Sequence, residues 1–136
     1  MSFNIVRYFY WTALGFSVIL LVLNFGIGLI AMAIFILPLL ILHLRNGLSL
    51  NNIKGDNTLM IISALNLLAF ALIRPDGVHT LSDNGLSAFL SKFGVHAGYD
   101  AGMENYYLAA SLILLVFQIA IDLKLRKLRI GLKQRD

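Results

Sequence analysis

From Tyr8 to Leu44 the chain runs 37 residues without an Asp, Glu, Lys or Arg. As one helix this stretch would be about 55 Å long at a rise of 1.5 Å per residue. The hydrocarbon core of a bilayer is about 30 Å thick. The pattern therefore predicts two membrane-spanning helices, about Ile5–Leu23 and Gly28–Leu44. Asn24-Phe25-Gly26-Ile27-Gly28 is the turn between them, because Asn and Gly tolerate the backbone a tight reversal needs. Pro38 removes one backbone donor inside the second span and predicts a kink there.

Two further apolar runs follow. Thr58–Ile73 is the third span, with Asp56, Asn57 or Thr58 able to cap it and Arg74-Pro75 ending it. Asn105–Leu123 is the fourth, and its helix continues into the tail, since Leu125, Leu128 and Leu132 keep the i, i+3, i+7 spacing. Tyr8, Tyr10 and Trp11 read as an interfacial aromatic belt, and Arg74, Tyr106 and Tyr107 as anchors for the two shorter spans. The expectation is an all-α integral membrane protein with four transmembrane helices, forming one domain over residues 1–136. Its other parts are a polar loop at 75–104 and a basic tail at 124–136.

Charge sets the orientation. Arg7, Arg45, Lys54, Lys124, Arg126, Lys127, Arg129, Lys133 and Arg135 fall on one side of a four-span chain, and only Arg74 and Lys92 on the other. The positive-inside rule then puts both termini in the cytoplasm and the 75–104 loop outside. Hydrophobic residues make up 59% of the chain and charged residues 13%, too few to coat a soluble domain of this size. The net charge of +4 does not point to nucleic acid, because six of the eleven basic residues crowd into the last thirteen positions. Lys124, Arg126, Lys127, Arg129, Lys133 and Arg135 are instead expected to contact anionic lipid head groups. Ala31-Met32-Ala33 has the form of a signal-peptidase site, but the apolar run around it is far longer than a signal-peptide core, so the first segment is read as a retained span. A bacterial inner membrane is the expected location.

Candidate chemistry is sparse. The chain has no cysteine, which excludes thiolate ligands and nucleophiles. It has no nucleophile elbow, zincin, P-loop or paired-aspartate motif. In the outer loop, His79 and Asp83, His96 and Asp100, and Asp100 and Glu104 each stand four apart, as two ligands on one helical face would. Gly94, Gly98 and Gly102 argue that this stretch is loop, and no metal or cofactor is expected. Asp83-Asn84 can cap a short amphipathic helix whose Leu86, Phe89, Leu90 and Phe93 face a partner or the tops of the spans. Within the spans, Asn24, Asn66 and Gln118 are expected to hydrogen-bond between helices. No charge lies near the middle of a span, which argues against an ion-coupled transporter. Asp122 is read as an ion pair at the membrane surface with Lys124 and Arg126.

These features favour a non-enzymatic protein that works by protein–protein contact, as an accessory or assembly subunit of a membrane complex or as a small homo-oligomer. Two alternatives stand beside it. One is an immunity protein against an envelope-acting toxin. The other is a small oligomeric transporter, channel or membrane enzyme using the outer-loop His and Asp residues.

Overall fold

The long uncharged run breaks once. In the computed structural model, which describes residues 3–49, 57–75, 84–95 and 103–133, helix α1 covers Phe3–Leu23 and α2 covers Ile27–Leu48. Gly26 caps α2 in extended backbone, and its carbonyl accepts from Leu29 and Ile30. Helix α3 spans Asn57–Ile73, α4 Gly85–Ser91 and α5 Glu104–Lys133. The described residues form no strand beyond an isolated bridge between Pro75 and Asn84. Two helical stretches, Asn4–Leu23 and Asn105–Leu128, are long and apolar enough to cross a membrane; Met32–Leu48 and Asn57–Ile73 are shorter apolar helices.

The helices form a ring. α1 packs chiefly on α3, α3 on α5, α5 on α2, and α2 closes back on α1. Tyr10 near the start of α1 bonds to His43 near the end of α2, so these two run antiparallel. Ser63, early in α3, and Asp122, late in α5, meet at the same level. The start of α1 and the latter half of α5 therefore lie at one end of the bundle.

Each helix buries a stripe at helical spacing. On α3 the buried positions include Met60, Ser63, Ala64, Leu67 and Phe70. On α5 they include Leu115, Gln118, Asp122 and Leu125, and on α2 Ile36, Leu39, His43 and Asn46. Both of the latter stripes step by three, four and three residues, the rhythm of a helix face turned to a core. Two apolar clusters result. One gathers Val6, Tyr10, Ala13, Met60, Ala64, Ile121 and Leu125. The other gathers residues such as Leu14, Leu20, Leu39, Leu67, Phe70 and Leu115. Between them the same stripes carry polar side chains.

Tyr10 is wholly buried, so it is part of the core and not of an interfacial belt, whereas Tyr8 is exposed. Arg74 also departs from the anchoring role expected of it, being wholly buried. Its guanidinium donates to the main-chain carbonyls of Asn24 and, at 3.2 Å, of Pro75. The Asn24 side chain donates back to the Arg74 carbonyl at 3.1 Å. α1 and α3 both end here, so two negative helix termini lie side by side, and a cation between them is stabilising.

α4 seats on this junction. Asn84 forms a capping box with Ser87. Gly85 donates to the Arg74 carbonyl, and a Cβ at Gly85 would stand 1.9 Å from the Ala71 carbonyl oxygen, so only glycine fits. Gly94, at φ +76°, ends the segment: its amide and that of Val95 bond back to Ser91 and Leu90 in a Schellman pattern. The helix stops at Ser91, so Phe93 lies beyond it and is exposed, as is Leu86. Leu90 is half-buried, and Phe89 is half-buried edge-on to Phe16 of α1 at 5.4 Å.

Candidate functional site

The polar side chains between the two apolar clusters form one connected network across α2, α3 and α5. Its centre is a buried pair. His43 Nδ1 lies 3.2 and 3.3 Å from the two carboxylate oxygens of Asp122, and both residues are fully buried. This overturns the reading of Asp122 as a membrane-surface ion pair. Lys124 and Arg126 are exposed, and the carboxylate's partner is His43, 79 positions away. The physical reason is helical phase. Asp122 falls on the buried stripe with Gln118 and Leu125, while positions 124 and 126 do not.

The directions of the Asn66 and Gln118 hydrogen bonds can be fixed from one end. The Leu114 carbonyl can only accept, so the atom of Asn66 2.9 Å from it is Nδ2. The same Nδ2 donates to Gln118 Oε1 at 2.8 Å. Gln118 must then turn its Nε2 to Ser63 Oγ at 2.9 Å and Asp122 Oδ2 at 3.0 Å. Ser63 therefore spends its single proton on Asp122 Oδ1 at 2.9 Å. Asn46 Nδ2 adds a bond to the Asp122 carbonyl at 3.1 Å and lies 3.5 Å from Oδ1. His43 Nδ1 faces both carboxylate oxygens of Asp122, and Gln118 Nε2 at 3.2 Å and Ser63 Oγ at 3.3 Å also lie against it. The other ring nitrogen is Nε2.

That Nε2 is buried and has no hydrogen-bond partner among the described residues, as is also true of Asn46 Oδ1. The imidazole is held flat against the Tyr10 ring, with centroids 4.3 Å apart and planes 7° apart, while the Tyr10 hydroxyl donates to the His43 carbonyl at 3.0 Å. Trp11 stands edge-on to Tyr10 at 6.4 Å. Gly47, one turn after His43, packs beneath both rings. A Cβ there would lie 3.0 Å from Tyr10 Cε1 and 3.1 Å from Trp11 Cζ2.

The arrangement is not that of a serine hydrolase. In a nucleophilic triad the acid and the serine take opposite ring nitrogens of the histidine. Here Asp122 and Ser63 converge on Nδ1, the latter at 3.3 Å, and Ser63 gives its proton to the carboxylate. The network gathers side chains of α2, α3 and α5 around one carboxyl group and leaves one imidazole nitrogen without a partner among the described residues.

Of the polar residues singled out in the sequence, Asn24 and Asn66 bond to main-chain or side-chain groups of other helices or helix ends, and Gln118 joins the central network. His79, Asp83, His96 and Asp100 lie outside the described residues. Glu104 opens α5. Among the described residues no group of three His, Asp or Glu is placed to hold a metal ion. Lys124, Arg126 and Lys127 are exposed on α5, whose backbone also carries Arg129 and Lys133, whereas Arg135 lies outside the described residues.

The buried pairing of His43 with Asp122 is what a reading by charge run passes over. Their signal was present in the shared spacing of Ile36–Leu39–His43–Asn46 and Leu115–Gln118–Asp122–Leu125. Both residues lie near the ends of the predicted spans, His43 beside Leu44 and Asp122 beside Leu123. No protein-family model, curated protein sequence or solved structure matches the chain.

Proposed function

We propose that this chain is a four-span protein of a cell membrane, most simply a bacterial inner membrane, with both termini cytoplasmic. In this reading it acts without catalysis, as an accessory or assembly subunit that contacts other membrane proteins or a second copy of itself. The observation that carries the proposal is the inverted distribution of polarity. Ile34, Leu37 and Ile41 on α2 and Ile113, Val116 and Phe117 on α5 are exposed, while Ser63, Asn66, Gln118 and Asp122 are buried. In water such a surface far exceeds the apolar patch a soluble monomer carries. In a bilayer it is the ordinary outer face of a helix bundle.

Contact with other helices is supported by a shallow, open groove of about 450 Å³ along α5, lined by Leu112, Ile113, Val116, Phe117 and Ala120. Photo-crosslinkers at Ile113 and Val116 test this in native membranes. Defined protein adducts are expected, of the chain with itself or with another subunit; adducts to lipid alone would overturn the interaction role. A reporter fused at Lys92 tests the topology separately, and an extracytoplasmic signal is expected.

A further inference from the structure

α4 does not lie across the end of the bundle; it runs back along the side. α1 and α3 are parallel, since Val6, Tyr10 and Ala13 share a cluster with Met60 and Ala64, and Asn24 bonds to Arg74 at the other end. Gly85 opens α4 against Ala71 and Leu72, in the last turn of α3. Four residues later the Phe89 ring meets Phe16 of α1 at 5.4 Å. Phe16 stands seven residues before Leu23, the last residue of α1, about 10 Å along the axis. α4 therefore leads from the Arg74 end back toward the middle of the bundle. Phe93 follows, edge-on to Phe89 at 5.1 Å.

Two properties suit this segment to hydrocarbon. Leu86, Phe93 and Val95 are 46%, 70% and 51% exposed, and Phe16, Ile19 and Val22 on α1 are exposed as well. The ends of α4 are also closed without water. Asn84 and Ser87 cap each other, and Gly85 donates to the Arg74 carbonyl. The carbonyls of Phe89, Leu90 and Ser91 accept from the amides of residues 92–95. Within a bilayer a backbone must find such partners in the protein itself. Lys92 is the only charged residue between Asn84 and Val95. A lysine stem can stay among apolar groups while its ammonium reaches toward the head groups.

We propose that α4 and the turn at Gly94 form a re-entrant segment whose free face, Leu86, Phe93 and Val95, binds the acyl chains of the leaflet at the Arg74 end. Depth decides the occupant. One leaflet contributes about 15 Å of hydrocarbon, half of the core, and Phe89 meets α1 about 10 Å inside its terminus. A helix resting on the head groups would meet residues at the helix ends instead. The inference rests on the membrane reading above and not on the accessory role.

The chain has no cysteine, so single nitroxide labels need no other substitution. F93C and V95C, labelled and reconstituted in phosphatidylcholine vesicles, are compared with I113C on the outer face of α5 and K127C at its basic end. All four positions are exposed, so the labels leave the packing intact. Electron paramagnetic resonance sets collision with oxygen, which concentrates in hydrocarbon, against collision with a water-soluble nickel chelate. F93C and V95C are expected to favour oxygen as I113C does, and K127C to favour nickel. If I113C favours oxygen while F93C and V95C favour nickel, the re-entrant segment is overturned and the membrane reading stands. Shielding of F93C and V95C from both reagents also overturns it, because protein then covers the face. If I113C favours nickel, the membrane reading fails and this inference fails with it.

Discussion

The bundle buries charge at two places, and the two are built differently. Near the joined ends of α1 and α3, Arg74 meets main-chain carbonyls of Asn24 and Pro75. On the far side of the larger apolar cluster, Asp122 meets side chains from α2, α3 and α5. Arginine is always protonated, and a carbonyl at a helix terminus is a fixed dipole. The Arg74 end is therefore a clasp whose charge does not change with pH. The Asp122 end is a network of side chains from three helices. The helices are thus fastened at one end by main-chain carbonyls and at the other by side chains.

The comparison breaks most sharply at Asp122. Asp122→Ala strands the donors of Ser63, Gln118, Asn46 and His43 in the bundle. A loss of about 3–5 kcal/mol is expected, as when one partner of a buried pair is removed, and denaturant titration in micelles measures it. Arg74→Met keeps the bulk of the chain but removes the bonds to Asn24 and Pro75. The expected loss is about 1.5–3 kcal/mol, the range for hydrogen bonds to a charged group, and the defining result is that this loss is equal at pH 8 and pH 5. A loss that varied with pH would mean that the two ends are not independent. Asn24→Ala removes one neutral bond at the fixed end and should cost about 1 kcal/mol in the same assay. Asn66→Leu has the smallest expected effect on stability, about 0.6 kcal/mol, the average for an interhelical hydrogen bond. It also frees Gln118 to rotate, so the ¹⁵N spectrum of His43 should broaden although the fold is kept.

Much of the scaffold was legible in the sequence. The break at Asn24–Gly26 follows from a run too long for one span, and α4 follows from the Asn84 cap and Gly94. The basic tail continues α5 because its leucines stay in phase. The site was harder to read, for a specific reason. Charge runs mark where a chain meets water, and Asp122 stands two residues from Lys124, so its neighbours along the chain disguise it. Its neighbours in space are set by the three-and-four rhythm of α5, which places it beside Gln118 and not beside Lys124. Arg74 was disguised in the same way by Pro75. Next to a helix-stopping proline it looks like a surface anchor, and only the adjacency of two helix ends explains why a cation belongs inside. Tyr10 shows the limit of residue type as a guide, since Tyr8 is exposed and Tyr10, two positions on, faces the core.

The two buried charges also differ in electrical depth. Lys124 is two residues from Asp122, about 3 Å along the axis of α5, whereas Ser63 is ten residues, about 15 Å, from the end of α3 beside Arg74. In a bilayer whose head groups meet Lys124 and Lys127, the pair lies within about a turn of that surface and most of the hydrocarbon lies on its far side. A unit charge crossing the whole membrane gains about 2.3 kcal/mol per 100 mV. A bilayer so placed would set most of the potential drop between Asp122 and Arg74.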